Sequence, residues 1–153
     1  MLKFVNGDIV DGLYPVFCHQ VNCKGVMGAG LARHLRYKYP EVYDNYVIRC
    51  RQGNLLGTIQ PVICHDGRVC VNMFAQIGYG RDMRYTNYMA FEMCLDSLAE
   101  YVNSLRLIDY EKAVAFPYGI GCGLGGGDWN TILGLIRQFA DKIDIDVVIV
   151  KKE

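Results

Sequence analysis

The sequence predicts an α/β domain, with helices layered about a largely parallel or mixed sheet. Three observations point there. Short apolar runs alternate along the chain with segments of helical periodicity. No Ser/Pro linker, charge block or internal repeat divides the 153 residues, a length suited to one domain spanning 1–153. Two glycine-rich stretches each stand between a strand pattern and a helix pattern, where open α/β sheets carry their ligand loops.

Residues 2–5 form a short apolar strand closed by the turn signal Asn6-Gly7-Asp8. Residues 15–21 (PVFCHQV) read as a buried strand. After the first glycine stretch, Leu31, Leu35 and Tyr39 share a helix face. Pro40 ends that helix and opens a second over 40–50. Residues 58–64 and 68–74 are β-rich runs joined at His65-Asp66-Gly67, a hairpin signal. Phe91, Cys94, Leu95, Leu98, Val102 and Leu105 recur at helical spacing behind Thr86 or Asn87 as cap. Residues 113–117 are another strand, followed by the second glycine stretch. Asp128 then caps a helix whose buried stripe is Trp129, Ile132, Leu133, Ile136, Phe139, Ala140 and Ile143. Residues 147–150 are the last apolar strand.

Composition narrows the function classes. The chain is 52% hydrophobic and 21% charged, which excludes a disordered segment. Sixteen basic side chains balance sixteen acidic ones, so generic nucleic-acid binding through bulk charge is not expected. No apolar run approaches the ~20 residues of a membrane span, and residues 1–10 lack a secretory-signal pattern. Seven cysteines without regular spacing read as free thiols in a reducing, cytoplasmic setting. Cys18-His19 with Cys23, and Cys64-His65, lack zinc-site spacing. No metal or cofactor is expected, and a monomer is.

The first glycine loop is NCKGVMGAG over 22–30, and the second is YGIGCGLGGGDW over 118–129. Six of the nine residues 119–127 are glycine. Glycine lets an anion approach the backbone, and a helix N-terminus offers unpaired N–H groups and partial positive charge. Two such loops at equivalent places point to a ligand carrying a diphosphate, held without net positive charge. No GxxxxGK[ST] occurs, which excludes a Walker P-loop. Gly121, Gly123 and Gly126 spell GxGxxG, but only 27 residues follow, too few to complete a dinucleotide half-fold.

At these residues the chain resembles the macro domain family, modules that bind ADP-ribose. The resemblance covers nearly the whole chain. Gly7-Asp8-Ile9 looks like the family's adenine-side motif. His19-Gln20-Val21-Asn22-Cys23-Lys24-Gly25-Val26-Met27-Gly28-Ala29-Gly30-Leu31-Ala32 looks like the distal-ribose loop and its helix. Tyr118-Gly119-Ile120-Gly121-Cys122-Gly123-Leu124 looks like the diphosphate loop. The resemblance implies a three-layer α/β/α fold with a mixed, roughly six-stranded sheet. It implies that Asp8 accepts the adenine amine, that the Ile9 N–H meets a ring nitrogen, and that Asn22 bonds the distal ribose. It further implies that residues 28–30 and 121–124 offer backbone N–H groups to the phosphates. Asp8 and Asn22 also have local readings, as a turn residue and an Asx-turn residue.

The compact members nearest in texture include ADP-ribose 1″-phosphate phosphatases and enzymes that release ADP-ribose from glutamate or DNA. The deribosylating members use a lysine at the end of the middle strand, where this chain has Gln76. An amide supplies no nucleophile. One type has an aspartate directly after the Gly-x-Gly-Leu string, where this chain has Gly125, and Asp128 three residues on reads as a helix cap. Many relatives end the last strand with an aromatic, where Val150 and Lys151 stand here. Tyr79 and Tyr118 are aromatics available to the site. His19, Asn22 and Lys24 remain the catalytic candidates. His19 is a possible general acid/base, although strand alternation puts it opposite Gln20 and Asn22. Lys24 either neutralises a phosphate near the 1″ position or projects into solvent. Cys23 and Cys122 read as small packing residues. The resemblance thus implies binding of ADP-ribose or an ADP-ribosylated molecule, and hydrolysis of a derivative, with the 1″-phosphate favoured. Its alternatives are a non-catalytic reader and a mono-ADP-ribosyl hydrolase acting on protein or nucleic acid.

Overall fold

The computed structural model describes residues 1–105 and 113–152. The elements run β1 (Leu2–Asn6), β2 (Val16–Val21), α1 (Gly30–Lys38), α2 (Pro40–Cys50), β3 (Ile59–Ile63), β4 (Val69–Phe74), α3 (Tyr88–Ser104), β5 (Ala113–Pro117), α4 (Trp129–Asp141) and β6 (Asp146–Lys151). The strands form one six-stranded sheet in the order β1-β6-β5-β2-β4-β3. Every pairing is parallel except the β3–β4 hairpin. The expected mixed α/β/α architecture is the one observed.

Strand alternation divides the core into two layers. Phe17, Val21, Cys70, Phe74, Ala115, Val148 and Val150 face Leu35, Tyr39, Val42 and Tyr46 of the α1–α2 side. Val16, Cys18, Val71, Met73, Val114, Phe116 and Ile149 face Phe91, Leu98, Ile132, Ile136 and Phe139 of α3 and α4. Both faces of the sheet are therefore covered, as parallel sheets require. In α4 the expected stripe is realised at Ile132, Ile136, Phe139 and Ala140, while Trp129 and Leu133 stay half-buried. Asn87 caps α3 through the Ala90 N–H, and Asp128 caps α4 through the Thr131 N–H.

The order of strands makes the site. β2 lies between β5 and β4. The chain leaves β2 for α1 on one face and leaves β5 for α4 on the other. Between the carboxyl ends of β2 and β5 the loops therefore part, and a crevice opens.

One buried cation secures the neighbouring loop between β1 and β2. Arg68, 8% exposed, donates from Nε to the Tyr14 carbonyl at 2.9 Å, from Nη1 to Val10 at 2.5 Å, and from Nη2 to Ile9 at 2.8 Å. Its guanidinium lies 4.0 Å from the Phe17 ring centroid. Nη1 also donates to the Tyr39 hydroxyl, which in turn donates to Asp66 at 2.6 Å. Arg68→Met keeps the stem and leaves these carbonyls unmet. Urea unfolding should show a loss of about 3 kcal/mol. A change within about 0.5 kcal/mol would show that this clamp contributes nothing.

Candidate functional site

A cleft of about 670 Å³ occupies the crevice, a volume in the range of small-ligand sites. Its walls are residues 19–22 from the end of β2, 26–32 from the first glycine loop and α1, Gln76 and Tyr79, and 117–121 with 123–125 from the second loop. The structure thus brings the two glycine loops to one cavity.

The helix N-termini differ. α3 and α4 are capped by side chains, whereas Ala29 at the N-cap of α1 makes no side-chain bond and the first turn carries no acid. The N–H groups of Gly30, Leu31 and Ala32 therefore lack intrahelical partners. Among the described residues, no protein acceptor meets the N–H groups of Met27, Gly28 and Ala29, or those of Gly121, Gly123 and Leu124. Six loop amides and one uncapped helix end thus surround a half-open cavity, an arrangement that receives an anion. The second loop works differently from the expectation. Asp128 satisfies the start of α4, so the anion-facing groups are those of the loop's own turns. Gly121 has φ +75°, and a Cβ there would lie 2.8 Å from Gln20 Oε1, so only glycine fits. Gly123 has ordinary φ and open space at its Cβ position.

A polar network holds the second loop. Gln20 Nε2 donates to Gln76 Oε1 at 2.7 Å and to Thr86 Oγ1 at 2.8 Å. Thr86 Oγ1 donates to the Gly121 carbonyl at 2.6 Å. Gln76 Nε2 donates to the Gly78 carbonyl at 2.8 Å. The Gln76 amide is thus tied at both ends.

The sequence-derived candidates separate once placed. Gly28, Ala29, Gly30, Leu31, Val26 and Met27 line the cleft, as do Gly119, Ile120, Gly121, Gly123 and Leu124. Gly25 and Cys122 belong to the same loops but lie behind the wall. Asp8 and Ile9 lie outside the lining too. Ile9 is buried, and Asp8 Oδ1 accepts the Val10 and Asp11 N–H groups in an Asx turn, with Lys152 Nζ 3.7 Å from Oδ2. Asp8, Asp11 and His34 bring donor atoms within 4.8 Å of one another. Asp11 is already ion-paired with Lys38 at 3.0 Å, which leaves the group little charge for a metal ion. Lys24 is exposed and does not line the cleft.

Asn22 lines the cleft, but its amide faces its own loop. Oδ1 accepts the Lys24 N–H at 2.9 Å and lies 2.7 Å from the Tyr46 hydroxyl. Nδ2 donates to the Val26 carbonyl at 2.9 Å. The oxygen expected to bond a sugar is committed to the Asx turn, and one Nδ2 hydrogen remains. Tyr46, which is not among the sequence-derived candidates, thus supports the site from behind. Its helical position is indistinguishable from a core position.

His19 and Gln20 do point to opposite faces, yet both line the cleft, because the cavity sits across the strand's end. Alternation therefore does not separate them. His19 is 3% exposed. Asn72 Nδ2 donates to Gln60 Oε1, so Asn72 Oδ1 faces His19 and accepts its Nε2–H at 2.5 Å. Burial, against the opposing pull of that bond, lowers the pKa from 6.5 to about 4. At neutral pH the ring is uncharged, can accept a proton at Nδ1 and has no acidic proton to give. Burial also raises the Cys23 thiol and pushes Cys122 up to about 11, so neither is a nucleophile at neutral pH.

Fold and cleft define an α/β domain with a cavity suited to an anion. No protein-family model matches the chain. The DNA ADP-ribosyl glycohydrolase of Mycobacterium tuberculosis is 25% identical over 97% of this chain, which spans 42% of that protein's length. An ADP-ribose 1″-phosphate phosphatase of Scheffersomyces stipitis is 38% identical over 69 residues, 38% of this chain and 40% of that one. The macrodomain of Mycobacterium tuberculosis DarG superposes with a TM-score of 0.85 at 25% identity, covering 98% of this chain and 97% of that chain. The chain thus has the fold of the macrodomains and is similar to them along nearly its whole length.

The His19 shift makes a signed prediction. The unfolded chain binds a proton below pH 6.5 that the folded ring refuses until about 4. The stability this group contributes is present above 6.5 and is lost as pH falls toward 4, by about 3 kcal/mol. Urea unfolding at pH 7 and 4.5 should show a smaller loss in His19→Gln than in the wild type; equal losses would contradict the assignment.

Proposed function

We propose that the chain binds ADP-ribose in this cleft and hydrolyses an ADP-ribose derivative, with the 1″-phosphate as the favoured substrate. The observation that carries the binding is the set of unmet N–H groups of Met27, Gly28, Ala29, Gly121, Gly123 and Leu124, all on residues that line a cavity also taking in the uncapped end of α1. A diphosphate satisfies such donors without a lysine or arginine. Asn22 offers its remaining Nδ2 hydrogen to the distal ribose. Asp8 Oδ2 is the acceptor available to an adenine amine beyond the end of the cleft, in exchange for Lys152. Tyr118, its ring 4.8 Å from that of Trp129, and Tyr79 give the cleft apolar walls.

For turnover, the tied Gln76 amide excludes a covalent route from that position. A phosphomonoester needs no such group. Water attacks phosphorus, the bond to the sugar oxygen breaks, and inorganic phosphate leaves. The neutral His19 can orient that water or accept its proton, and the substrate phosphate can serve as base. The two named relatives support hydrolysis of ADP-ribose derivatives as the class. The same tied Gln76 favours a second reading, a reader that binds ADP-ribose without turnover. A mono-ADP-ribosyl hydrolase acting on modified protein or nucleic acid would need its leaving group expelled by water alone.

Calorimetric titration with ADP-ribose, with ADP and NAD as controls, tests the binding. Gly123→Val should fold normally, since its Cβ position is open and its φ ordinary, and should abolish binding by occupying the phosphate position. Unchanged affinity would remove the second loop from the site. Phosphate release from ADP-ribose 1″-phosphate by the wild type separates enzyme from reader.

A further inference from the structure

The first glycine loop has no strand or helix of its own across residues 22–29, yet it forms a wall of the cleft. One buried hydroxyl from outside hydrogen-bonds its polar atoms. Tyr46, in the middle of α2, is fully buried. Its ring packs on Phe74, with centroids 5.8 Å apart. Its hydroxyl lies 2.7 Å from the Asn22 carbonyl and 2.7 Å from Asn22 Oδ1, and accepts the Gly25 N–H at 3.2 Å. A buried tyrosine hydroxyl needs a partner. Here all three of these contacts belong to one loop, and two belong to one residue that lines the cleft.

We propose that Tyr46 is the positioning residue for the distal-ribose end of the cleft, its hydroxyl fixing Asn22 and the turn at Gly25 in the shape that receives the sugar beyond the diphosphate. The proposal rests on the ADP-ribose reading above. The hydroxyl holds Asn22 Oδ1 where the Lys24 N–H also reaches it. That sets the amide plane and leaves the second Nδ2 hydrogen in one orientation. Without the hydroxyl, the two Asn22 oxygens lose the one proton they share, and the half-buried Gly25 N–H loses the hydroxyl oxygen as acceptor. The amide can then turn, and its hydrogen no longer meets a sugar hydroxyl. The diphosphate loop is held by a separate network, through Gln20 and Thr86 on Gly121. Tyr46 bonds Asn22 and Gly25 and none of residues 27–29, so its loss should act mainly on the sugar end.

The test is Tyr46→Phe, which removes one oxygen and keeps the ring on Phe74. Calorimetry compares ADP-ribose with ADP, which lacks the distal ribose. ADP-ribose affinity should fall about tenfold, the size of one buried hydrogen bond, while ADP affinity stays within twofold. Tyr43→Phe, on the same helix but outside the site, should leave both unchanged. Equal losses for both ligands in Tyr46→Phe would mark a merely structural role and overturn the proposal; so would no loss for either. If the wild type itself fails to bind ADP-ribose, the ligand reading falls instead, and hydrogen exchange still reads the clamp. The Gly25 amide should be protected in the wild type and exchange at least tenfold faster in Tyr46→Phe. An unprotected Gly25 amide in the wild type, or an unchanged rate in the variant, overturns the clamp without any ligand.

Discussion

The parallel register of β2 with both of its neighbours is the constraint on which the site depends. Because β5, β2 and β4 run the same way, their carboxyl ends lie together and each must be followed by a loop on that side. Because α1 and α4 lie on opposite faces of the sheet, the loops after β2 and β5 part instead of packing on each other. The cleft is the space this parting leaves. Its chemistry comes from backbone groups that the turns do not satisfy, which is how a chain of zero formal charge can present a cavity suited to an anion.

Unsatisfied amides are useful only if the loops stay in place when empty, since ordering them on binding would offset the affinity gained. Each loop is clamped by buried polar side chains from elsewhere in the sequence. Arg68, immediately before β4, holds the carbonyls of Ile9, Val10 and Tyr14. Tyr46 from α2 holds Asn22 and Gly25. Gln20 and Thr86 hold Gly121. Arg68 and Tyr46 each pack an apolar or planar body against an aromatic ring of the core and turn a polar head to a loop. Core packing and loop geometry are thereby coupled, and the cost of leaving any of these heads unmet works against loop rearrangement.

Much of this was legible in the sequence. The strand and helix periods located the elements within a residue or two, and Asn87 and Asp128 were recognisable caps. The glycine spacing located both loops. What escaped was what depends on long-range contact. Asn22 has the same appearance whether its amide faces a ligand or its own turn, and only Tyr46, 24 residues away, decides between them. Arg68 follows a hairpin turn, and nothing local shows that its guanidinium meets the carbonyls of Ile9, Val10 and Tyr14. Strand alternation correctly assigned His19 and Gln20 to opposite faces, but a cavity at a strand's end borders both. Asp8 and Ile9 carry the family's motif, while the cleft wall stops short of them.

The central claim is that backbone amides of the two glycine loops are the ligand donors. The most direct measurement follows the amide nitrogen and proton signals of the wild-type protein by nuclear magnetic resonance during titration with ADP-ribose. The account predicts that the amides of Met27, Gly28, Ala29, Gly121, Gly123 and Leu124 shift furthest downfield and saturate together, with those of α3 nearly unmoved. Saturable binding that leaves these six amides in place while others shift would contradict it, because the ligand would then be held by some other part of the molecule.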